Sequence, residues 1–228
     1  MELQNVIRAA GTCRYFRSDP VDDETLGVLL DAARFAPQGG NRQPVRWIVV
    51  RDRALKEQLR DWYLVPWKAY LERTRTGQVR IDGRRAMRMV QDSDHMAEHL
   101  ADIPVLLVAC AVMADISSVD AALPRPGLVS GASVYPAVQN LLLSAREAGL
   151  GAALTTLLVG DEPRIAELLG IPEGVAVAAV IALGWPERPL ATRLTRRPVS
   201  EIAFCDRWGA PPPGAQDRAA QPRSRSSP

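Results

Sequence analysis

Hydrophobic residues along the chain follow two periods, which predict an alternation of helices and strands. Helical spacing bounded by capping residues, glycine or proline predicts five helices: one from Leu3 to a stop at Gly11, one capped by Asp22 or Asp23 and ended by Pro37, a short one capped by Asp52, one over 134–148, and one capped by Asp161 and ending at Gly170. Short apolar runs predict four strands: 47–50, 104–113, 152–157 and 175–183. The alternation predicts a three-layer α/β or α+β domain.

Some of these segments carry further expectations. The strand 47–50 is predicted to be buried, and the continuous apolar run 104–113 is typical of a strand covered on both faces. Proline is tolerated only in the first turn of a helix, so Pro136 must lie there or kink the helix. The stretch 186–209 has too little hydrophobic content to fold back alone and is predicted to be an extended arm. Residues 210–228 are rich in Pro, Ser and Arg, which predicts a disordered tail after a single domain over 1–209.

Composition narrows the class of protein. Lys and Arg number 28 against 26 Asp and Glu, so the net charge of +2 does not favour binding to nucleic acid or to an anionic membrane. The longest apolar run, 103–114, is shorter than a membrane-spanning helix, and the N-terminus shows no secretory signal. Cys13, Cys110 and Cys205 are too far apart to form a disulfide framework or a zinc motif. A reduced, cytoplasmic protein is therefore expected, without a nucleic-acid or membrane partner.

Several motifs leave alternatives open. His95 and His99 have the i, i+4 spacing of two metal ligands on a helix, but no third ligand stands out, so a solvated or pocket-edge helix is the main interpretation and no metal is expected. The span 73–88 holds six arginines and one aspartate, and it is either exposed surface, a mobile lid or a contact for a phosphorylated ligand such as NADPH. Gly149-Leu150-Gly151 closes a helix and opens a strand, the reverse of a dinucleotide fingerprint.

Four segments are the strongest candidates for chemistry. Each combines small residues or turns with side chains that can hold a ligand by hydrogen bonds or charge. Their candidate residues are Gly11, Thr12, Cys13 and Arg14 at the end of the first helix; Pro37, Gln38, Gly39, Asn41 and Gln43 between a helix and a strand; Thr155, Thr156 and Leu157 at the end of a strand; and Arg196 and Arg197 before Pro198. Taken singly, each segment also fits an ordinary turn, strand or surface charge.

Their order and spacing, from about residue 6 to 202, resemble the FMN-dependent nitroreductase family, and the segment APQGGNRQP carries most of the likeness. The resemblance implies an α+β, three-layer α/β/α fold with a central mixed sheet flanked by helices. It also implies a homodimer that binds FMN at its interface and exchanges its C-terminal arm. NADH or NADPH would donate hydride to flavin N5 in a ping-pong cycle that reduces a small electron-poor acceptor, a nitroaromatic, quinone or activated alkene. No catalytic side chain is then required.

The resemblance also assigns roles. Arg14 would face the pyrimidine edge of the flavin, residues 37–43 and 155–157 would line the ring, and Arg196, helped by Arg197, would grip the phosphate. Many relatives have an arginine where Ala10 or Gly11 stands here, so Arg8 or the arm must compensate, or FMN is held more weakly. Two alternatives remain: an FMN-dependent oxidase or dehydrogenase of a biosynthetic substrate, and a flavin-binding protein without turnover.

Overall fold

The computed structural model describes residues 2–81 and 83–211. The chain divides into two compact units, Met1–Thr192 and Arg193–Pro228. In the second unit, Val199–Glu201 form a 3-10 turn, and the rings of Phe204 and Trp208 meet with centroids 4.8 Å apart. The predicted disordered tail lies, from residue 212 onward, outside the described residues.

The first unit alternates helices and strands along the chain. Its helices are α1 Leu3–Ala9, α2 Asp23–Arg34, α3 Arg53–Arg75, α4 Arg84–Glu98, α5 Tyr135–Glu147 and α6 Glu162–Leu169. Its strands are β1 Val45–Val50, β2 Val105–Val112, β3 Gly151–Thr155 and β4 Val175–Gly184. Within the described residues, none of the helices is both long and apolar enough to cross a bilayer.

The four strands form one sheet in the order β1-β2-β4-β3, with each neighbouring pair antiparallel. A parallel bridge joins Thr12 to Ala152, outside the named strands. In the described part of the chain, the parallel component of the predicted mixed sheet is limited to that bridge.

Side chains alternate between the two faces of the central strands, which produces two separate cores. Leu107 and Ala109 of β2 pack with α2 and α5, whereas Leu106 and Val108 pack with α3, α4 and α6. The predicted three-layer α/β/α architecture is therefore confirmed.

Local capping signals located two helices correctly. Asp22 accepts a hydrogen bond from the Thr25 amide at 2.6 Å, and Asp52 accepts one from the Leu55 amide at 2.9 Å. Pro136 lies in the first turn of α5, as expected. Asp161 occupies the N-cap position of α6, as predicted, but its side chain makes no capping hydrogen bond. The side chain instead lies 3.6 Å from the guanidinium of Arg164.

Three other predictions need correction. The helix after Asp52 is not short, because α3 continues for 23 residues through Pro66. Strand β1 is not buried: it lies at a sheet edge, where one side of a strand lacks a neighbour, and Val49 is 37% exposed. Strand β3 ends at Thr155, and a 3-10 helix over Leu157–Asp161 replaces the last predicted strand residues.

Candidate functional site

The N-terminal segment 11–14 lies against strand β3. The Cys13 amide donates to the Ala152 carbonyl at 2.9 Å, next to the parallel bridge between Thr12 and Ala152. A Cβ atom placed on Gly151 would lie 2.5 Å from the Cys13 sulfur, so this close approach requires glycine. The Cys13 thiol is buried, which raises its pKa, and it donates to the Tyr15 carbonyl at 3.2 Å. Cys13 therefore has a packing role, whereas its neighbours Thr12 and Arg14 keep their side chains accessible.

Arg14 lies close enough to the buried Tyr63 of α3 for its charge to act on the tyrosine hydroxyl. Tyr63 of α3 is 4% exposed, and this burial raises the pKa of its hydroxyl. The neighbouring Thr155 hydroxyl and the positive charge of Arg14 act in the opposite direction and lower that pKa. Among the described residues, Arg14 itself has no hydrogen-bond or ion-pair partner. The fold thus places Arg14 and Thr155 each near the same side chain, that of Tyr63.

A cavity of about 300 Å³ opens beside the same segment. Three arginine side chains line it, Arg14, Arg88 and Arg188, together with one carboxylate, Asp92. Its other lining residues are Gly11, Thr12, Cys13, Tyr15, Pro189, Leu190 and Ala191. Because three guanidinium groups face one carboxylate, the cavity carries a positive charge that suits an anionic ligand.

Planar side chains stack in a column at one wall of this cavity. The Arg188 guanidinium lies 3.2 Å from the Tyr15 ring centroid, Tyr15 stacks on His95 at 4.3 Å, and His95 stacks on His99 at 4.2 Å. Tyr15 donates its hydroxyl to Asp92 at 2.8 Å. Burial lowers the pKa of His95, and the neighbouring His99 adds to the effect.

The two histidines are therefore stacked face to face, rather than arranged around a common ligand position. The Nδ1 atom of His99 lies 2.9 Å from the His95 carbonyl oxygen and shares a hydrogen bond with it. In the portion of the chain that the structure describes, no group of three or more metal-ligating side chains occurs.

The loop 37–43 is a second candidate region. The Gly39 amide donates to the Ser133 hydroxyl, 3.1 Å away, just before the N-terminus of α5. Gly40, Asn41 and Gln43 have φ values of 60°, 51° and 51°, in the left-handed region that non-glycine residues rarely adopt. Such strained backbone tends to occur where a loop holds a ligand.

Gln38 adds a second unusual feature to this loop. Its Oε1 atom is buried but has no hydrogen-bond partner among the described residues. A buried acceptor without a donor is costly, by about 1–3 kcal/mol. A ligand or second chain with an N–H or O–H group would remove that cost.

The two regions lie at diagonally opposite corners of the sheet. Val45, which follows the loop 37–43, pairs with Ala111 of β2. Ala152, which forms the bridge with Thr12, pairs with Leu183 of β4, and Leu183 in turn pairs with Val105 of β2. Six residues along β2 span about 20 Å, and three strand spacings span about 14 Å. The two corners are therefore about 25 Å apart in one chain.

The length of α5 gives an independent estimate. Ser133, which binds Gly39, precedes the first turn of α5, and Arg146 in the last turn donates to the Ala9 carbonyl. A 13-residue helix is about 20 Å long. Both estimates show that the fold does not bring segments 11–14 and 37–43 together within one chain.

The remaining predicted residues have less specific surroundings. Thr156 is exposed, and the Leu157 amide donates to the Thr155 hydroxyl at 3.2 Å, at the start of the 3-10 helix. Arg196 and Arg197 belong to the second unit, where the Arg196 guanidinium donates to the Thr195 carbonyl at 2.9 Å. Their predicted role in holding a phosphate stays a prediction.

Sequence reasoning missed Tyr63, Arg188 and the stacking of Tyr15 on His95. The arginine-rich span 73–88 did signal Arg88, one of its members, as a possible contact for a phosphorylated ligand. Tyr63 gave no local signal, since it reads as one more apolar position of α3.

Comparison with known proteins shows which protein family this chain is related to. The family model described as "Nitroreductase family" matches residues 7–185, more than half of the chain. The chain belongs to the nitroreductase family. Similar proteins include the 5,6-dimethylbenzimidazole synthase of Rhodospirillum rubrum, which is 31% identical over 186 residues that cover 78% of this chain and 79% of the relative. The NADH dehydrogenase of Thermus thermophilus is 30% identical over 188 residues, which cover 76% and 81%.

A solved structure agrees with the family assignment. An iodotyrosine deiodinase bound to FMN and 3-iodo-L-tyrosine is similar with a TM-score of 0.66 and 26% identity, covering 86% of this chain and 95% of the deiodinase. The predicted fold and family are thereby confirmed, and the protein is a flavin oxidoreductase of the nitroreductase family.

The donor and acceptor groups of this chain suit FMN, the flavin bound by that relative, and they lie in the two separate regions described above. The orphaned Oε1 atom of Gln38 is a buried acceptor for a ligand N–H group. Arg14 offers an unpaired positive charge, as far as the described residues show, and Thr12 offers an accessible hydroxyl on the same segment. FMN carries acceptor oxygens, an N–H group and a phosphate, which match these three groups.

Proposed function

We propose that this protein is an FMN-dependent NAD(P)H oxidoreductase acting on a small electron-poor acceptor such as a nitroaromatic, a quinone or an activated alkene. The chemistry that FMN supplies when bound is electron transfer from NADH or NADPH to that acceptor. The observation that carries the proposal is the convergence of Arg14, Thr155 and Tyr63 beside an arginine-lined cavity, in a family whose members include an FMN-bound enzyme.

In this proposal the side chains bind and orient rather than react. Arg14 provides a positive charge that stabilises an anionic ligand at its edge of the site. Burial keeps Tyr63 protonated at neutral pH, so its hydroxyl remains a hydrogen-bond donor. Gln38, at the other corner of the sheet, accepts a hydrogen bond from the ligand.

We propose further that the site is completed by a second copy of the chain. Segments 11–14 and 37–43 lie about 25 Å apart in one chain, as the strand spacing and α5 both indicate. Large apolar side chains are exposed on and beside the α2–α5 layer: Val28, Phe35, Leu128 and Tyr135. A homodimer that pairs these layers covers the apolar side chains and brings opposite corners of two chains together. Exchange of the C-terminal arm is part of the same proposal.

The first experiment measures flavin binding and reduction. Purified protein, alone and after incubation with FMN, is examined for flavin absorbance and then mixed anaerobically with NADH or NADPH in a stopped-flow spectrophotometer. We expect bound FMN that is bleached by at least one nucleotide. Protein that binds no FMN, or whose FMN is bleached by neither nucleotide, would exclude the reductase.

A matched pair of variants assigns the role of Arg14. Arg14→Gln removes the unpaired guanidinium, and loss of a charged hydrogen bond of about 1.5–3 kcal/mol weakens FMN binding by about 10- to 150-fold. Arg17→Gln is the control, because Arg17 lies three residues further along the chain but is exposed and paired with Asp19 at 2.7 Å. Equal affinities in the two variants would remove Arg14 from the site.

The second candidate is an FMN-dependent oxidase or dehydrogenase of a biosynthetic substrate. It is favoured by the relative named 5,6-dimethylbenzimidazole synthase, at 31% identity. Rapid reoxidation of the reduced protein in air, without an added acceptor, would support this candidate. Slow reoxidation in air together with fast reoxidation by a quinone would support the reductase.

Sedimentation velocity tests the dimer. A single species of twice the chain mass of 24.9 kDa is expected at micromolar concentration. A monomer that nevertheless binds FMN would contradict the two-chain site.

A further inference from the structure

The cavity beside segment 11–14 has a charge that the flavin-ring contacts do not require. Arg88 comes from α4 and Arg188 follows β4, so two distant elements add guanidinium groups to the one contributed by Arg14. Among the described residues, Asp92 is the one carboxylate that lines the cavity, and it already accepts a hydrogen bond from the Tyr15 hydroxyl at 2.8 Å. Counting formal charges, three cations and one anion leave an excess of two positive charges.

The partners of these arginines leave them available to a ligand. The Arg188 guanidinium carbon lies 3.2 Å from the Tyr15 ring centroid, a contact that holds the guanidinium without neutralising its charge. Arg88 is exposed and makes no hydrogen bond or ion pair with the residues that the structure describes. Glu187, next to Arg188 in the chain, does not line the cavity.

The N-terminal segment explains why such arginines are needed. Positions 10 and 11 are Ala and Gly, so this part of the segment offers no cationic side chain to a phosphate. Arg8 is exposed in the last turn of α1 and is not among the cavity's lining residues. Thr12 and Arg14 do line the cavity, together with Arg88 and Arg188.

We propose that Arg88 and Arg188, with Arg14 and Thr12, bind a phosphate monoester in this cavity. A phosphate monoester carries about −1.5 to −2 charges at pH 7 and three acceptor oxygens, which matches the excess charge and the forked donors of guanidinium groups. This inference rests on the proposed function, which supplies two ligands with such a group: FMN through its terminal phosphate and NADPH through its 2′-phosphate. Proximity to Arg14 and Thr155 favours FMN.

Riboflavin and FMN differ only by the phosphate, so their comparison isolates its contribution. Full-length protein freed of flavin is titrated with each, and flavin fluorescence gives the dissociation constants. We expect Arg88→Gln and Arg188→Gln each to weaken FMN binding by about 10-fold or more and to leave riboflavin binding within about twofold. Arg188→Lys keeps the charge and should recover part of the loss. Arg85→Gln is the control, because Arg85 is exposed on the same helix but does not line the cavity.

A second set of measurements separates the two sources of phosphate. With FMN saturating, the KM for NADPH and for NADH is measured for each variant. A rise in KM for NADPH alone, with FMN affinity unchanged, supports the cavity as a phosphate site and assigns it to the nucleotide. Selective loss of FMN over riboflavin assigns it to the flavin.

The remaining outcomes overturn the inference. If the wild-type protein binds FMN and is reduced, but neither variant loses FMN or NADPH selectively, the phosphate site is wrong and the proposed function stands. If the wild-type protein binds neither flavin, both are wrong.

Discussion

Gly151 is the position at which a single methyl group should disturb the candidate site most directly. A Cβ atom there would lie 2.5 Å from the Cys13 sulfur and 2.6 Å from the Cys13 Cβ. Neither distance is tolerable, and Cys13 is 6% exposed, so its side chain has little room to turn away. Gly151→Ala therefore forces segment 11–14 away from β3 and weakens the hydrogen bond from Cys13 to Ala152.

The size of the effect follows from overpacking. Adding a methyl group to a well-packed interior costs about 1–3 kcal/mol. For a protein of this length, each kcal/mol lowers the Tm by about 2–4 °C, so Gly151→Ala should lower the Tm by about 2–12 °C. FMN affinity should fall too, because Thr12 and Arg14 move with the segment.

Thermal unfolding followed by circular dichroism, with and without FMN, measures both effects. Gly27→Ala is the matched control: Gly27 lies in α2, has nothing within 4 Å of an added Cβ, and should gain about 0.5–1 kcal/mol from its higher helix propensity. In the Gly151→Ala background, Cys13→Gly removes both contacting atoms, so the double variant should lose less stability than the sum of the two single-variant losses. A Gly151→Ala protein with wild-type Tm and FMN affinity would refute the close packing of β3 against the N-terminal segment.

Two further predictions concern titratable groups. Because burial lowers the pKa of His95, protonation is less favourable in the folded than in the unfolded state, so the free energy of unfolding should fall as the pH drops below about 6.5, the ordinary pKa of histidine. Urea titrations at pH 7.5 and pH 5 should show a smaller fall for His95→Gln than for the wild-type protein. An equal fall in the two proteins would contradict this prediction. Burial raises the pKa of Cys110 to about 11 and also raises the pKa of Cys13. In a Cys205→Ser protein, a disulfide reagent at pH 8 should therefore label no thiol rapidly until denaturant is added. Rapid labelling of the native protein would show that Cys13 or Cys110 is accessible.

Much of the fold could be predicted from local signals. The aspartates before α2 and α3 cap those helices because a carboxylate one position before a helix reaches a free amide of its first turn. The continuous apolar run of β2 indicated a central strand because both of its faces are covered. Asp161 shows the limit of the same rule, since its carboxylate lies near Arg164 rather than an amide.

Other features depend on contacts that are distant in sequence. Pro66 suggests a helix end, but Leu59, Tyr63 and Trp67 continue a buried stripe through it, and the Trp67 indole donates to Asp94 at 2.8 Å. Packing against α4 therefore outweighs the local preference of proline. Likewise, nothing near Arg188 in the sequence indicates that it stacks on Tyr15, because that contact arises only when the chain after β4 returns to the N-terminal segment.

The separation of the two corners of the sheet has a genetic consequence in the proposed homodimer. Each chain contributes a different half to each of two sites. A chain damaged at Arg14 and a chain damaged in the loop 37–43 would, when paired, form one site with both lesions and one site with neither. Two inactive alleles could thus restore activity when expressed in the same cell, although neither does so alone.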